Sequence, residues 1–166
     1  TGKKYQFNEG VPHRVIADHV RMLVFSMADG AMPSNDGRGY VLRRVLRRAA
    51  RFGRILKMHE PFIYELVDSV CQIMGDTFIE IRDKQKHIEK VIKSEELAFN
   101  ETLDRGLEVY GKITKDLSEG DKISGKKAFK LYDTYGFPLD LTELMARDDK
   151  LTIDIEEFNN CMTEQK

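Results

Sequence analysis

The sequence predicts an all-α protein: a helical bundle with a long spine helix and a small three-helix C-terminal lobe. Three observations predict it. Apolar residues recur at three-and-four spacing along most of the 166 residues. Pro12, Pro33, Pro61 and Pro138 each stand where a helix can begin, since proline is tolerated in a first turn and harmful inside. No strand-like alternation of useful length occurs, residues 150–155 being the one candidate.

The elements follow in chain order. Val15, Ile16, His19, Val20, Leu23, Val24 and Met27 form one helical stripe over residues 11–27, closed by Ala28-Asp29-Gly30 with its C-terminal glycine. Residues 33–39, Pro-Ser-Asn-Asp-Gly-Arg-Gly, are a turn cluster. Residues 40–56 are periodic again. Glu60-Pro61 opens a third helix to about Met74, ended by Gly75-Asp76. Residues 78–117 then carry a long charged pattern with Ile81, Ile88, Val91, Ile92, Phe99, Leu103, Leu107 and Tyr110 as its stripe. Gly106 and Gly111 are the points expected to bend that spine or end it early. Residues 118–121 break the pattern. Ser124 is positioned to cap a helix to Tyr135, and Gly136-Phe137-Pro138 stops it. Two further short helices are expected over 139–147 and 154–165. A boundary near 118–123 divides 1–117 from 118–166, although 1–166 also fits a single domain.

Composition alone points away from a nucleic-acid binder. Lys+Arg number 27 and Asp+Glu 28, for a net charge of -1. Position reverses that impression. Between Gly37 and His59 stand Arg38, Arg43, Arg44, Arg47, Arg48, Arg51, Arg54 and Lys57, with no acid, so this window carries +8 and the remainder -9. On a helix, Arg43, Arg47, Arg51 and Arg54 share a face, where like charges repel unless anions neutralise them. Those anions are either nucleic-acid phosphates or acids of the spine: Glu80, Asp83, Glu89, Glu95 and Glu96. Arginine at seven of the eight positions favours phosphate, which a planar guanidinium binds with two hydrogen bonds. Gly37-Arg38-Gly39 offers helix N-terminal N–H groups to an anion, but no strand precedes it, which excludes a dinucleotide fingerprint. Asn35 and Asp36 read most simply as helix N-caps.

Cys71 and Cys161 are too far apart in sequence for a Cys-pair zinc site and read as free thiols in a reducing cytoplasm. His13, His19, His59 and His87 have no ligand spacing with either cysteine, so no metal site is expected. His19 lies on an apolar stripe and reads as a hydrogen-bonded core or interhelical residue. Asp18 and Arg21 read as an interhelical ion-pair set. No apolar run reaches the length of a membrane span and no signal peptide is present, so no membrane partner is expected. The start at Thr1-Gly-Lys-Lys reads as a piece of a longer protein.

Several long motifs carry a family resemblance: Arg14-Val-Ile-Ala-Asp-His-Val-Arg21, Ala28-Asp-Gly30, Pro33-Ser-Asn-Asp-Gly-Arg-Gly-Tyr-Val-Leu-Arg-Arg44, Arg47-Arg-Ala49 and Leu131-Tyr-Asp-Thr-Tyr-Gly-Phe-Pro-Leu-Asp-Leu-Thr142. In that order they resemble the alanyl-tRNA synthetase family, over nearly the whole chain. The matching part is the helical tRNA-recognition region after the class II catalytic domain. The resemblance implies 1–117 as the acceptor-stem-binding region with its spine and 118–166 as a small helical lobe. It implies a partner, the acceptor stem of tRNA(Ala), whose G·U wobble pair leaves a guanine amino group free in the minor groove. Asn35 and Asp133 would read that amino group, and Arg38, Arg43, Arg44, Arg47, Arg48 and Arg51 would hold flanking phosphates. Catalytic residues are expected in none of these positions. ATP and Mg²⁺ would serve an upstream catalytic domain, and zinc a downstream editing domain, of the same cytoplasmic ligase. For Asp133 the plainer reading is a local cap or an ion pair to Lys130. Asp140 most simply caps the following helix, and Tyr132, Tyr135 and Phe137 read as packing rather than base-stacking residues. The alternative function is a helical protein–protein interaction module with a basic docking helix.

Overall fold

The computed structural model describes residues 5–8 and 10–164. The chain is built from helices: α1 (Val11–Ala28), α2 (Gly37–Ile55), a 3-10 turn (Ile63–Glu65), α3 (Leu66–Met74), α4 (Ile79–Asp83), α5 (Gln85–Thr114), α6 (Gly125–Tyr135), α7 (Leu139–Asp148) and α8 (Ile155–Glu164). Strand β1 (Lys122–Ile123) pairs in parallel with β2 (Thr152–Ile153). The expected all-α class is therefore observed, with a small strand pair of which one member, β2, lies within residues 150–155. The last helix was expected to reach Gln165, which lies outside the described residues. Two compact units occur, Thr1–Asn100 and Glu101–Lys166, and the boundary between them falls inside α5.

In the first unit, Leu23, Val24 and Met27 of α1 interlock with Leu42, Leu46 and Ala49 of α2, and all six are at most 2% exposed. Burial of such side chains contributes about 1.5–3 kcal/mol each for the larger ones. α1 ends as its sequence predicts. Gly30 takes a φ of +88° and Ala31 N–H reaches back to Ser26 O at 3.0 Å, satisfying a terminal carbonyl. Ile63, Val67, Ile81, Ile88 and Ile92 complete this core without measurable exposure.

The spine departs from expectation. It breaks at Lys84, between α4 and α5, and then continues as one helix past Gly106 and Gly111 to Thr114. The break frees Lys84 Nζ to donate to Ala28 O, a carbonyl that α1 leaves unpaired at its end. Helix three also starts late, because Phe62 and Ile63 first form the 3-10 turn. Their N–H groups donate to the Glu96 carboxylate at 3.0–3.2 Å, so α5 caps the turn from across the unit.

In the second unit, α6 packs on α8 and α7 on β2. Phe137 is fully buried and fills the notch at Gly106, as expected of a packing residue. Tyr110 donates to Asp149 Oδ2 at 2.8 Å. Ser124 occupies the N-cap position of α6 yet makes no cap of its own. Its hydroxyl instead donates to Glu157 Oε2 at 2.9 Å, and the same oxygen accepts the Lys126 N–H at 3.3 Å. The Glu157 carboxylate thereby serves as the cap, and its pKa is lowered mainly by the Ser124 hydrogen bond. Asp140 is in the first turn of α7 rather than at its N-cap, which is Pro138.

Candidate nucleic-acid interface

α2 begins where the 33–36 turn leaves α1. Ser34 Oγ donates to Asp36 O at 2.9 Å, and Gly39 is buried against this turn. A Cβ at Gly39 would stand 2.2 Å from Ser34 Oγ, so glycine here lets the turn fold flat against the helix. That packing reason was hidden in the sequence behind the G-x-G pattern. Asp36 occupies the N-cap position but forms no side-chain cap bond.

Asn35 is exposed and is not a cap. Its Oδ1 accepts a hydrogen bond from Arg43 Nη1. Arg43 in turn grips Glu95 of α5, with Nε to Oε2 at 3.0 Å and Nη2 to Oε1 at 2.9 Å. The two side chains are 19% and 26% exposed, so the pair is only partly screened by solvent. A guanidinium has no acceptor, so the oxygen of Asn35 must face Arg43 and its NH₂ must face away. One lone pair of that oxygen remains for a second donor.

The six arginines assigned to phosphate separate into two sets. Arg43 faces Glu95. Arg47, half-buried, lies over the Phe99 ring at 5.2 Å, and Arg51 is only 8% exposed, beside Phe52. Arg54 of the same face donates to Met58 O at 2.7 Å. The four-arginine stripe is thus turned largely inward, and at Arg43 a spine acid supplies the expected anion. Arg38, Arg44 and Arg48 occupy the open surface, with Arg44 over Tyr40 at 5.8 Å. Glu95 was one of five spine acids named as alternatives, but nothing in the sequence singled it out.

Asp133 lies on the second unit, exposed in the last turn of α6 and not at a cap position. Tyr132 edges against Phe158, with ring centroids 5.9 Å apart. The Asp18–Arg21 pair, at 3.0 Å, lies within α1 rather than between helices, because i and i+3 share a face. His19 Nδ1 approaches Asp18 Oδ2 at 3.8 Å. Burial, then the positive charge of Arg48, lowers the His19 pKa and keeps the ring neutral at neutral pH. Burial pushes Glu96 up to about 7 despite its two backbone donors, the Phe62 and Ile63 N–H groups.

Cys71 is a buried free thiol whose pKa is raised, mainly by burial, and Cys161 is free and half-buried. Among the described residues no three His, Cys, Asp or Glu side chains gather as a metal site. No helix among them is long and apolar enough to cross a membrane. A cavity of about 650 Å³ beside α1 and α3 is lined mainly by apolar groups such as Ile16, Val20, Val70 and Ile73.

The fold and site define a predominantly helical protein with a cation-bearing helix whose N-terminal turn is held, through Arg43, by the half-buried acid Glu95. The chain belongs to the family of class II tRNA synthetases (A), whose model matches residues 1–166. It is 49% identical over 172 residues to the alanine–tRNA ligase of Chlorobium chlorochromatii, covering all of this chain and 19% of that protein. Against the alanine–tRNA ligase of Methylacidiphilum infernorum the identity is 51%, over 97% of this chain and 18% of the relative. Against that of Chlorobaculum tepidum it is 53%, over 92% and 18%. The chain thus spans about a fifth of the length of these curated relatives.

Proposed function

We propose that this chain is the tRNA-recognition portion of an alanine–tRNA ligase and binds the acceptor stem of tRNA(Ala). The observation that carries the reading is the Asn35–Arg43–Glu95 relay. A reader of an unpaired guanine amino group must present an acceptor in a fixed direction. Arg43 orients the Asn35 amide, and Glu95 orients Arg43. Asp133 supplies a second, anionic acceptor from the other unit. Arg38, Arg44 and Arg48 hold phosphates and set the register without reading sequence. Arg43 organises the reader, and Arg47 and Arg51 support the helix. Alanine activation with ATP and Mg²⁺ would rest with other parts of the whole enzyme, in the cytoplasm.

Binding to an acceptor-stem hairpin tests the reading. Affinity should fall steeply with salt, and a G·U hairpin should bind better than its G·C twin. Asn35→Ala and Asp133→Ala should each remove about 1–3 kcal/mol of that preference. Equal binding of the two hairpins, with both variants matching wild type, overturns it. The chain alone should show no alanine-dependent ATP–pyrophosphate exchange.

A further inference from the structure

We infer that Lys126, Lys127 and Lys130 of α6 form a second phosphate-binding surface, which seats RNA beside Asp133. The inference rests on the proposed role of Asp133 as a base reader. Three observations support it. The three lysines are exposed and occupy the face of α6 that also presents Asp133, while Gly125, Ala128 and Leu131 bury the opposite face. Lys126, Lys130 and Asp133 stand at i, i+4 and i+7, so they line one edge over about 10 Å of helix.

The second observation concerns partners. Three other lysines of this unit are tied to acids: Lys112 to Glu108 at 2.6 Å, Lys122 to Asp154 at 3.8 Å and Lys150 to Glu119 at 2.7 Å. Among the described residues, no carboxylate lies within ion-pair distance of the ammonium groups of Lys126, Lys127 or Lys130. The third is electrostatic. Residues 101–166 hold fifteen acids against ten bases, so a polyanion approaching this unit is repelled. A carboxylate that enters a groove between two phosphate backbones meets further repulsion. Three cations on the same helix face offset both effects where Asp133 must make contact. Asp133 then specifies, and the lysines position.

The test is hairpin binding as a function of salt for the chain, for Lys126→Ala/Lys127→Ala/Lys130→Ala, and for the corresponding triple arginine variant. The alanine variant should bind at least about tenfold more weakly at low salt. The steepness of log K against log salt should fall by about 2, near the value for two to three lost phosphate contacts. Its G·U over G·C preference should remain, and the arginine variant should restore the slope. Lys115→Ala, a control on the same unit, should match wild type. If the chain binds with normal salt dependence and the alanine variant has the same slope, the inference is overturned and the face serves an acidic protein instead. If the wild-type chain shows neither salt-dependent binding nor G·U preference, the functional reading fails first and takes this one with it.

Discussion

Arg43 and Glu95, 52 positions apart, meet in a two-pronged ion pair, and the third nitrogen of the same guanidinium holds Asn35. A single side chain thereby couples the α2 surface to the α5 interior. Removing Glu95 leaves a half-buried cation without its acid. Glu95→Ala should cost about 1.5–3 kcal/mol in urea unfolding, typical of a charged hydrogen-bonded partner. The G·U preference should fall along with it, although Glu95 is not placed on the RNA. Arg43→Lys should recover some stability but not the preference, since an ammonium lacks the fork.

Gly106 and Gly111 lie in the same helix and predict opposite signs. Glycine to alanine in a helix interior ordinarily gains up to about 1 kcal/mol. At Gly111 nothing lies within 4 Å of a new Cβ, so Gly111→Ala should stabilise. At Gly106 the new atom would stand 1.9 Å from Phe137 Cδ2, and Phe137 is fully buried. Overpacking of about 1–3 kcal/mol outweighs the helix gain, so Gly106→Ala should lower the thermal midpoint. Melting curves of the two variants decide the matter.

Glu96 predicts a pH dependence. Its folded pKa of about 7 lies above the ordinary 4.5, so the folded state holds the proton more tightly across that interval. Its contribution is fully present below about pH 4.5, declines as pH rises towards 7, and is level above. The lowered pKa of His19 acts oppositely: stability rises with pH below 6.5. The difference between wild type and Glu96→Gln removes the His19 part. That difference should decline with pH between about 4.5 and 7, on the order of a few kcal/mol. A flat difference curve would falsify the assignment to Glu96.

Gly136 ends α6 with a φ of +62°. A Cβ there would meet only Thr102 Cγ2 at 3.9 Å, so strain and not collision sets the cost. Gly136→Ala should lose about 1 kcal/mol, and Gly136→Asn less, because asparagine tolerates the left-handed conformation better. Chemical denaturation of the pair measures it.

The sequence and the structure part company at specific residues. The stripe from Val15 to Met27 and the Gly30 stop foretold α1 almost to the residue, because both signals are local. Lys84 carried no such signal: neither glycine nor proline marks the break, and the carbonyl its ammonium reaches, Ala28 O, belongs to α1. The arginine periodicity placed Arg43, Arg47, Arg51 and Arg54 on one face, which is where they are. It did not say that this face meets Glu95 and Phe99, since periodicity names a face and not its neighbour. The cap at Phe62 and Ile63 was illegible for the same reason, as its acceptor belongs to a residue more than thirty positions away. Two-residue strands are too short for any alternation. Asn35 and Asp133 are singled out only by the family resemblance of long motifs, and Asn35 alone reads as an N-cap, which it is not.

The β1–β2 pair joins Lys122 to Thr152 and Ile123 to Ile153. Everything between, α6 and α7 included, is an excursion that leaves and returns side by side, latched by two short strands. The chain emerges from it almost where it went in. The excursion is closed at its base and anchored along one side: Phe137 fills the notch at Gly106 of α5 and α6 rests on α8, while the opposite face of α6 is exposed. Asp133 and the three lysines stand on that exposed face, so they can be altered while the anchored side keeps its packing.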